Sequence, residues 1–375
     1  MIKIKKLFIA IVSAAMITAM CVPVMADDGS TSSEITPAAA GSTETATTDT
    51  VYGQSVYAND LKICKKTMKI KKVKGLKASI KYPVIKGMKN KTIQRSINAS
   101  ILREAKKQLA YGRKSAGELR KNGYKNVKCE TRLTYSVKYN QNGVLSIVIN
   151  EYQYTGGAHG SMYRLCKNYD LETGKNIRIT DIFSNVNGAK TYINSSIRAA
   201  IDKSVAAGDV DEITKFKTIK KNDSFYFGTK GITVVFQQNS YFTYASGIQY
   251  YALPYSELSA YLDPDYSFLS TEGISLDSSK TNTLAKGQLA YVVLDSNSST
   301  GYIWKCKSSD SKVLKIISQR YISSNADDNI SGAGGKEIIL VKGISEGNAT
   351  LQCNYIRDWQ GGEEGDSFTY SVEVK

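Results

Sequence analysis

The sequence predicts an α+β region, helices with antiparallel sheets, followed by an all-β immunoglobulin-like sandwich, and three observations carry that expectation. Two segments repeat isoleucine at helical spacing: Ile93, Ile97 and Ile101 in one, Ile193, Ile197 and Ile201 in the other. Between them, Leu133, Tyr135, Val137 and Tyr139 alternate ahead of Asn142-Gly143, and Leu145, Ile147 and Ile149 alternate after it. Asn-Gly favours a type I′ hairpin because both central residues need positive φ. From about Gly273 the helical period vanishes and short strand patterns recur to the end of the chain.

In order, the 375 residues open on Lys3, Lys5 and Lys6, an apolar run from Leu7 to Met20, then Pro23 and Val24-Met25-Ala26. A positive start, an apolar middle and small residues before a cut site make residues 1–26 a secretory signal peptide. The expectation is an exported, extracellular protein, free or at the cell surface. Residues 27–60 are rich in Ser, Thr, Ala and Gly and too poor in apolar side chains to offset their ordering entropy, which predicts a flexible linker.

Residues 61–268 form the α+β region. Ile80, Tyr82 and Val84 alternate as a strand, and Lys69, Lys71 and Lys81 read as its exposed partners. The helix of Ile93, Ile97, Ile101, Ala105 and Leu109 precedes the hairpin; a third strand runs from Ser161 to Tyr169. After the second helix come strands at Ser224–Phe227 and Ile232–Gln237, joined by a Gly228–Gly231 turn. Residues 270–375 offer seven strands: 274–276, 289–294, 302–307, 313–321, 337–341, 349–356 and 368–374. That spacing is the pattern of a two-sheet sandwich.

Charge is concentrated. The chain carries a net +16, yet residues 61–130 alone hold 22 Lys/Arg against 3 acids. An anionic cell-wall polymer or lipid surface is the partner such a field attracts; nucleic acid is not expected, since no aromatic platform interleaves the cations. Catalysis is disfavoured as well. His159 is the single histidine, so zinc sites built on two or three imidazoles are excluded. No paired-carboxylate or metal motif stands out, so neither an enzyme, a metal nor a cofactor is expected, and His159 reads as a turn residue among Gly156, Gly157 and Gly160.

Two stretches, Tyr152-Gln153-Tyr154-Thr155-Gly156-Gly157-Ala158-His159-Gly160 and Tyr241 to Leu258 (with Asp181-Ile182-Phe183), resemble a paired extracellular domain of unknown function. That pair is seen in lysozyme-sensing anti-sigma factors and beside peptidoglycan deacetylases. The resemblance implies a binding or sensing fold, with lysozyme or a cell-wall component as the ligand.

A sharper set lies in the sandwich. One loop reads Asn297-Ser298-Ser299-Thr300-Gly301-Tyr302; a second ends Gly332-Ala333-Gly334-Gly335; a third opens Arg357-Asp358-Trp359. In order and placement these resemble the chagasin family of cysteine-peptidase inhibitors, whose three loops are Asn-Pro-Thr-Thr-Gly-Tyr, a Gly-rich loop and Arg-Pro-Trp. The resemblance implies inhibition of a papain-like cysteine peptidase, with Asn297, Ser299, Thr300, Gly301, Tyr302, Gly332, Gly334, Gly335, Arg357 and Trp359 entering its cleft. Ser298 and Asp358 stand where the family has proline, which loosens both loops. Trp304 is expected in the core, Trp359 at the surface, and Tyr302 fits either. Cys306 and Cys353 fall on strands that neighbour each other in such a sandwich, so they form a disulfide or remain a pair of small core residues.

Overall fold

The computed structural model describes residues 50–52, 54–59, 61–324, 334–359 and 364–375. The expected signal peptide, most of the expected linker and Gly332 lie outside the described residues. In chain order the strands begin with a short hairpin, β1 (Thr50–Val51) and β2 (Gln54–Ser55), then β3 (Lys62–Thr67) and β4 (Leu76–Lys86). Helix α1 (Lys91–Lys121) leads to β5 (Cys129–Gln141), β6 (Val144–Tyr154) and β7 (Ser161–Asp170). Helix α2 (Val186–Ala206) precedes β8 (Ser224–Phe227), β9 (Gly231–Phe236) and β10 (Gln249–Pro254), and a single turn, α3 (Tyr255–Leu258), ends this region.

The middle region is two helix-and-sheet layers. A five-stranded sheet, β3-β4-β5-β6-β7, carries α1, and a three-stranded sheet, β10-β9-β8, carries α2. Asn90 caps α1 by accepting hydrogen bonds from the Thr92 and Ile93 N–H groups, and Arg120 and Lys121 sit in its last turn, where the helix dipole favours cations. The isoleucine stripe read from the sequence faces inward: Ile97, Ile101, Ala105 and Leu109 pack on Ile80, Ile85, Leu133, Ile147 and Ile149. In α2, Ile193, Ile197 and Ile201 pack against Phe225, Phe227, Ile232 and Val234. Asn142 and Gly143 have φ of 54° and 76°, as the hairpin between β5 and β6 requires.

Three expectations need correction. The sheets are not wholly antiparallel: β4 and β5 run parallel, because α1 between them supplies the crossover that a parallel pair requires. Lys69 and Lys71 lie in a loop after β3, so only Lys81 alternates on a strand, opposite Thr67. The end of the expected flexible linker is packed: Val56 is only 1% exposed, held between Ile322 and Ile338. The Arg320 guanidinium donates to the Ser55 carbonyl at 2.6 Å and to the Gln54 side chain at 3.0 Å.

The C-terminal region adds β11 (Ile274–Ser275), β12 (Thr281–Leu284), β13 (Leu289–Ser296), β14 (Tyr302–Ser308), β15 (Leu314–Ser323), β16 (Gly335–Gly343), β17 (Gly347–Arg357) and β18 (Glu364–Val374). They form two four-stranded sheets, β11-β13-β16-β15 and β12-β18-β17-β14. Leu284, Val292, Trp304, Ile339, Leu351 and Val372 fill the space between them. This is the immunoglobulin-like sandwich, with one strand more among the described residues than the seven read from the sequence.

The middle region and the sandwich share apolar packing. Leu289 and Leu340 belong to the core built around α2. The Lys342 ammonium donates to the Asp265 carbonyl and lies 5.0 Å from the centre of the Phe268 ring. Burial lowers the pKa of Lys342, partly offset by Asp265 and Asp263.

Candidate functional site

Strands β14 and β17 pair antiparallel with Tyr302 opposite Arg357, Trp304 opposite Tyr355 and Cys306 opposite Cys353. Alternation places all six on the face that looks into the sandwich. Cys306 and Cys353 are joined as a disulfide, their Cα atoms 4.1 Å apart. One step nearer the tip, Trp304 is buried at 4% exposure, stacks on Tyr355 at 4.9 Å between ring centres, and donates its indole N–H to the Asp295 carbonyl at 2.7 Å. Tyr355 also stacks on Tyr302 at 5.1 Å. The Arg357 guanidinium then lies 4.7 Å from the Tyr302 ring and 5.5 Å from that of Trp359. A continuous column of rings and guanidinium thus runs from the disulfide to the end of the sandwich.

The loop between β13 and β14 closes on itself. The Asn297 side-chain oxygen accepts from the Ser299 N–H at 3.1 Å and its hydroxyl at 2.7 Å. The Asn297 carbonyl accepts from the Thr300 N–H at 3.1 Å and hydroxyl at 2.7 Å. Residues Ser298–Thr300 make one 3₁₀ turn, and the Tyr355 hydroxyl accepts from the Asn297 N–H at 2.8 Å. Gly301 follows at φ 79°, a conformation in which a side chain is strained. A Cβ there would stand 3.1 Å from the Trp359 ring. Trp359 is therefore laid against Gly301 while 54% of it faces solvent.

The second loop meets the first at its stem. Gly335 pairs with Ser296 on one side and Ser323 on the other. A Cβ on Gly335 would collide with the Ile322 carbonyl and the Tyr321 ring, so glycine permits this close pairing. The Gly334 carbonyl accepts from the Ser324 N–H at 3.1 Å and hydroxyl at 2.7 Å. The described site residues Asn297, Ser299, Thr300, Gly301, Tyr302, Gly334, Gly335, Arg357 and Trp359 therefore sit at one end of the sandwich; Gly332 lies outside the described residues.

Sequence reasoning missed Tyr355, the residue that pins Asn297 and bridges Tyr302 to Trp304. The signal was present: Cys353, Tyr355 and Arg357 alternate toward the third loop. It also missed the ion pair between Lys305 and Asp358, both half exposed. That pair ties the residue standing in for a family proline back to β14.

The two motif stretches of the middle region also meet. His159 stacks on Tyr244 with ring centres 3.8 Å apart, and the Tyr244 hydroxyl donates to the Gly160 carbonyl. Beside them the Gln237 side chain accepts from the Arg164 N–H at 2.8 Å and donates to the Arg164 carbonyl at 2.9 Å. These contacts clamp the five-stranded sheet to the three-stranded one. They explain the motif as a joint and place His159 in a ring stack on a turn.

The structure gathers the described ends of three loops at one tip of a two-sheet sandwich. The description of the chagasin family of peptidase inhibitors matches residues 283–374, and the chain belongs to that family. Over 95 residues it is 30% identical to amoebiasin-1 of Entamoeba histolytica, a match covering 25% of this chain and 90% of that protein. Over 99 residues it is 30% identical to chagasin of Trypanosoma cruzi, covering 25% of this chain and 87% of that protein. Upstream, the description of the deacetylase PdaC matches residues 70–162, and that of a protein of unknown function, DUF3298, matches residues 180–256. A solved DUF3298-family structure from Bacteroides fragilis is 18% identical, covers 58% of this chain and 99% of its own, and superposes with a TM-score of 0.44. The C-terminal domain thus supports cysteine peptidase inhibition as this chain's activity.

Proposed function

We propose that the chain is an exported inhibitor of papain-like cysteine peptidases that acts by inserting the tip of its sandwich into the active-site cleft. The observation that carries this reading is the contact of Trp359 with Gly301, which makes the first and third loops one edge. Thr300 and Gly301 occupy the crest, where the absence of a Cβ lets the backbone approach a nucleophile closely. Gly334 and Gly335, engaged with Ser324 and paired between β13 and β15, form a fixed shoulder beside the crest that rests against one side of the cleft. Trp359 and Arg357, residue types that dominate interface energetics, cover the other side.

Inhibition rather than cleavage follows from rigidity. Thr300 is held in its turn by two hydrogen bonds to the Asn297 carbonyl. A scissile bond would need an extended segment across the nucleophile. The loss of the family prolines is offset locally: the Asn297 side chain closes the first loop and Lys305 holds Asp358 in the third. Because the edge is formed before binding, little ordering entropy remains to be lost.

The test is competition for the cleft. The full chain binds papain but not papain whose active-site cysteine carries a covalent peptidyl inhibitor. Equal binding to both forms overturns insertion into the cleft.

A further inference from the structure

The most basic stretch of the chain folds around a groove that the inhibitory reading does not use. One wall is the end of edge strand β3 and the loop after it, and the other is the middle of α1; the groove holds about 900 Å³. Lys66, Lys69, Lys106 and Arg113 line it, and all four are exposed. The two acids of α1 are engaged elsewhere, Glu104 with Lys167 at 3.2 Å and Glu118 with Lys114 at 3.9 Å. Among the described residues no carboxylate lines the groove. Four like charges held together this way favour an anion between them.

The floor adds a second requirement. Met68, Leu102 and Leu109 lie between the cations, with Leu109 buried and the other two half-buried. A bare polyol-phosphate chain would leave that apolar floor wet. An acidic peptide adding to β3 would follow the strand along its length, whereas the groove takes in only its last residues, Lys66 and Thr67, and the loop beyond. An amphiphile with an anionic head satisfies both features, and the volume falls in the range of small-molecule sites. We propose that this groove binds an anionic phospholipid, its phosphate among Lys66, Lys69, Lys106 and Arg113 and its first acyl segment over Met68, Leu102 and Leu109. The site is separate from the peptidase-binding tip, and either function can stand without the other.

Sedimentation of the full chain with vesicles tests it, using phosphatidylcholine alone or mixed with phosphatidylglycerol at about 0.15 M salt. The chain partitions onto the mixed vesicles only. Lys66→Gln with Lys106→Gln weakens that partition about tenfold or more, since each cation near an anionic surface contributes on this scale. Lys125→Gln with Lys128→Gln, an equal loss of charge beyond the end of α1, weakens it far less. Ala110→Trp, which fills the groove from α1 without changing charge, abolishes the preference; Ala110→Phe serves the same purpose if thermal unfolding shows that α1 is disturbed. Equal losses from the two charge pairs with no effect of filling would mean a diffuse field and overturn the groove. In a second arm, dihexanoyl phosphatidylglycerol below its micelle concentration binds while glycerol phosphate does not. Equal binding of both overturns the lipid assignment.

Discussion

Trp359 has a dual environment: one face rests on Gly301 and Arg357, while over half of the side chain is open to solvent. An aromatic ring so placed is held still by its neighbours and available to a partner. Trp359→Ala is expected to weaken inhibition of papain about 30-fold, the ordinary loss of roughly 2 kcal/mol for an interface anchor. The melting temperature should be unchanged, because the ring covers no core. A large fall in melting temperature with unaltered inhibition would assign Trp359 to the fold instead. Trp304 behaves oppositely: it is buried and bonded to the Asp295 carbonyl. The two tryptophans were separable from sequence by their neighbours, apolar and strand-forming for one, charged and Gly-rich for the other. Tyr302 was not, because a residue at the mouth of a sandwich is half-buried whichever role it has.

Strand β17 links core to tip, so the disulfide at its middle should be felt at both. Replacing Cys306 and Cys353 together by alanine is expected to lower sandwich stability by about 2–4 kcal/mol, read from urea denaturation without reductant. Unchanged stability would mean that the β14–β17 ladder holds without the bond. The second element with a measurable signature is the loop after α2. Burial pushes the Glu212 carboxyl up, but hydrogen bonds from Arg198, at 2.7 and 3.1 Å, and from the Phe216 N–H, at 2.9 Å, more than offset it and hold its pKa below the ordinary 4.5. A carboxylate with a depressed folded pKa contributes stability that is fully present above the unfolded value and lost as pH falls through the folded one. Glu212→Gln should therefore be the less stable protein near neutrality and should close the gap with the natural chain as pH drops below 4.5. A constant gap across that window would show that the ion pair is not the source.

Legibility differed between elements for physical reasons. Helices α1 and α2 and the β5–β6 hairpin were readable because their isoleucine stripes and Asn142-Gly143 are purely local signals. Strand β12 was missed because its buried slot is filled by Asn282, whose side-chain amide donates to the carbonyls of Asp277 and Ser371, at 2.9 and 3.0 Å. A polar residue satisfied by distant backbone breaks the alternation that marks a strand. Strand β3 was hidden by its lysines, and the parallel β4–β5 pairing depends on tertiary contacts that no local pattern records.

At the scale of the whole molecule, the sandwich is braced against the rest of the chain. Residues 54–57 lie along it, and Tyr57 accepts a hydrogen bond from the Gly273 N–H at 3.2 Å and meets the Tyr291 ring edge-on at 6.2 Å. On the same face of the β11-β13-β16-β15 sheet Lys315 pairs with Glu172, and Lys342 reaches the Asp265 carbonyl. These contacts grip the sandwich at β13, β15 and β16, whereas the tip formed by Thr300, Gly301 and Trp359 projects from the β14–β17 end. The groove lined by Lys66, Lys69, Lys106 and Arg113 and the tip draw on different elements, β3 and α1 against β14 and β17. Titration of active papain with the full chain tests the central claim most directly. Hydrolysis of a fluorogenic peptide should fall to zero at a one-to-one molar ratio, with the chain still intact afterwards. Full hydrolysis in the presence of a large molar excess of correctly folded chain would contradict it.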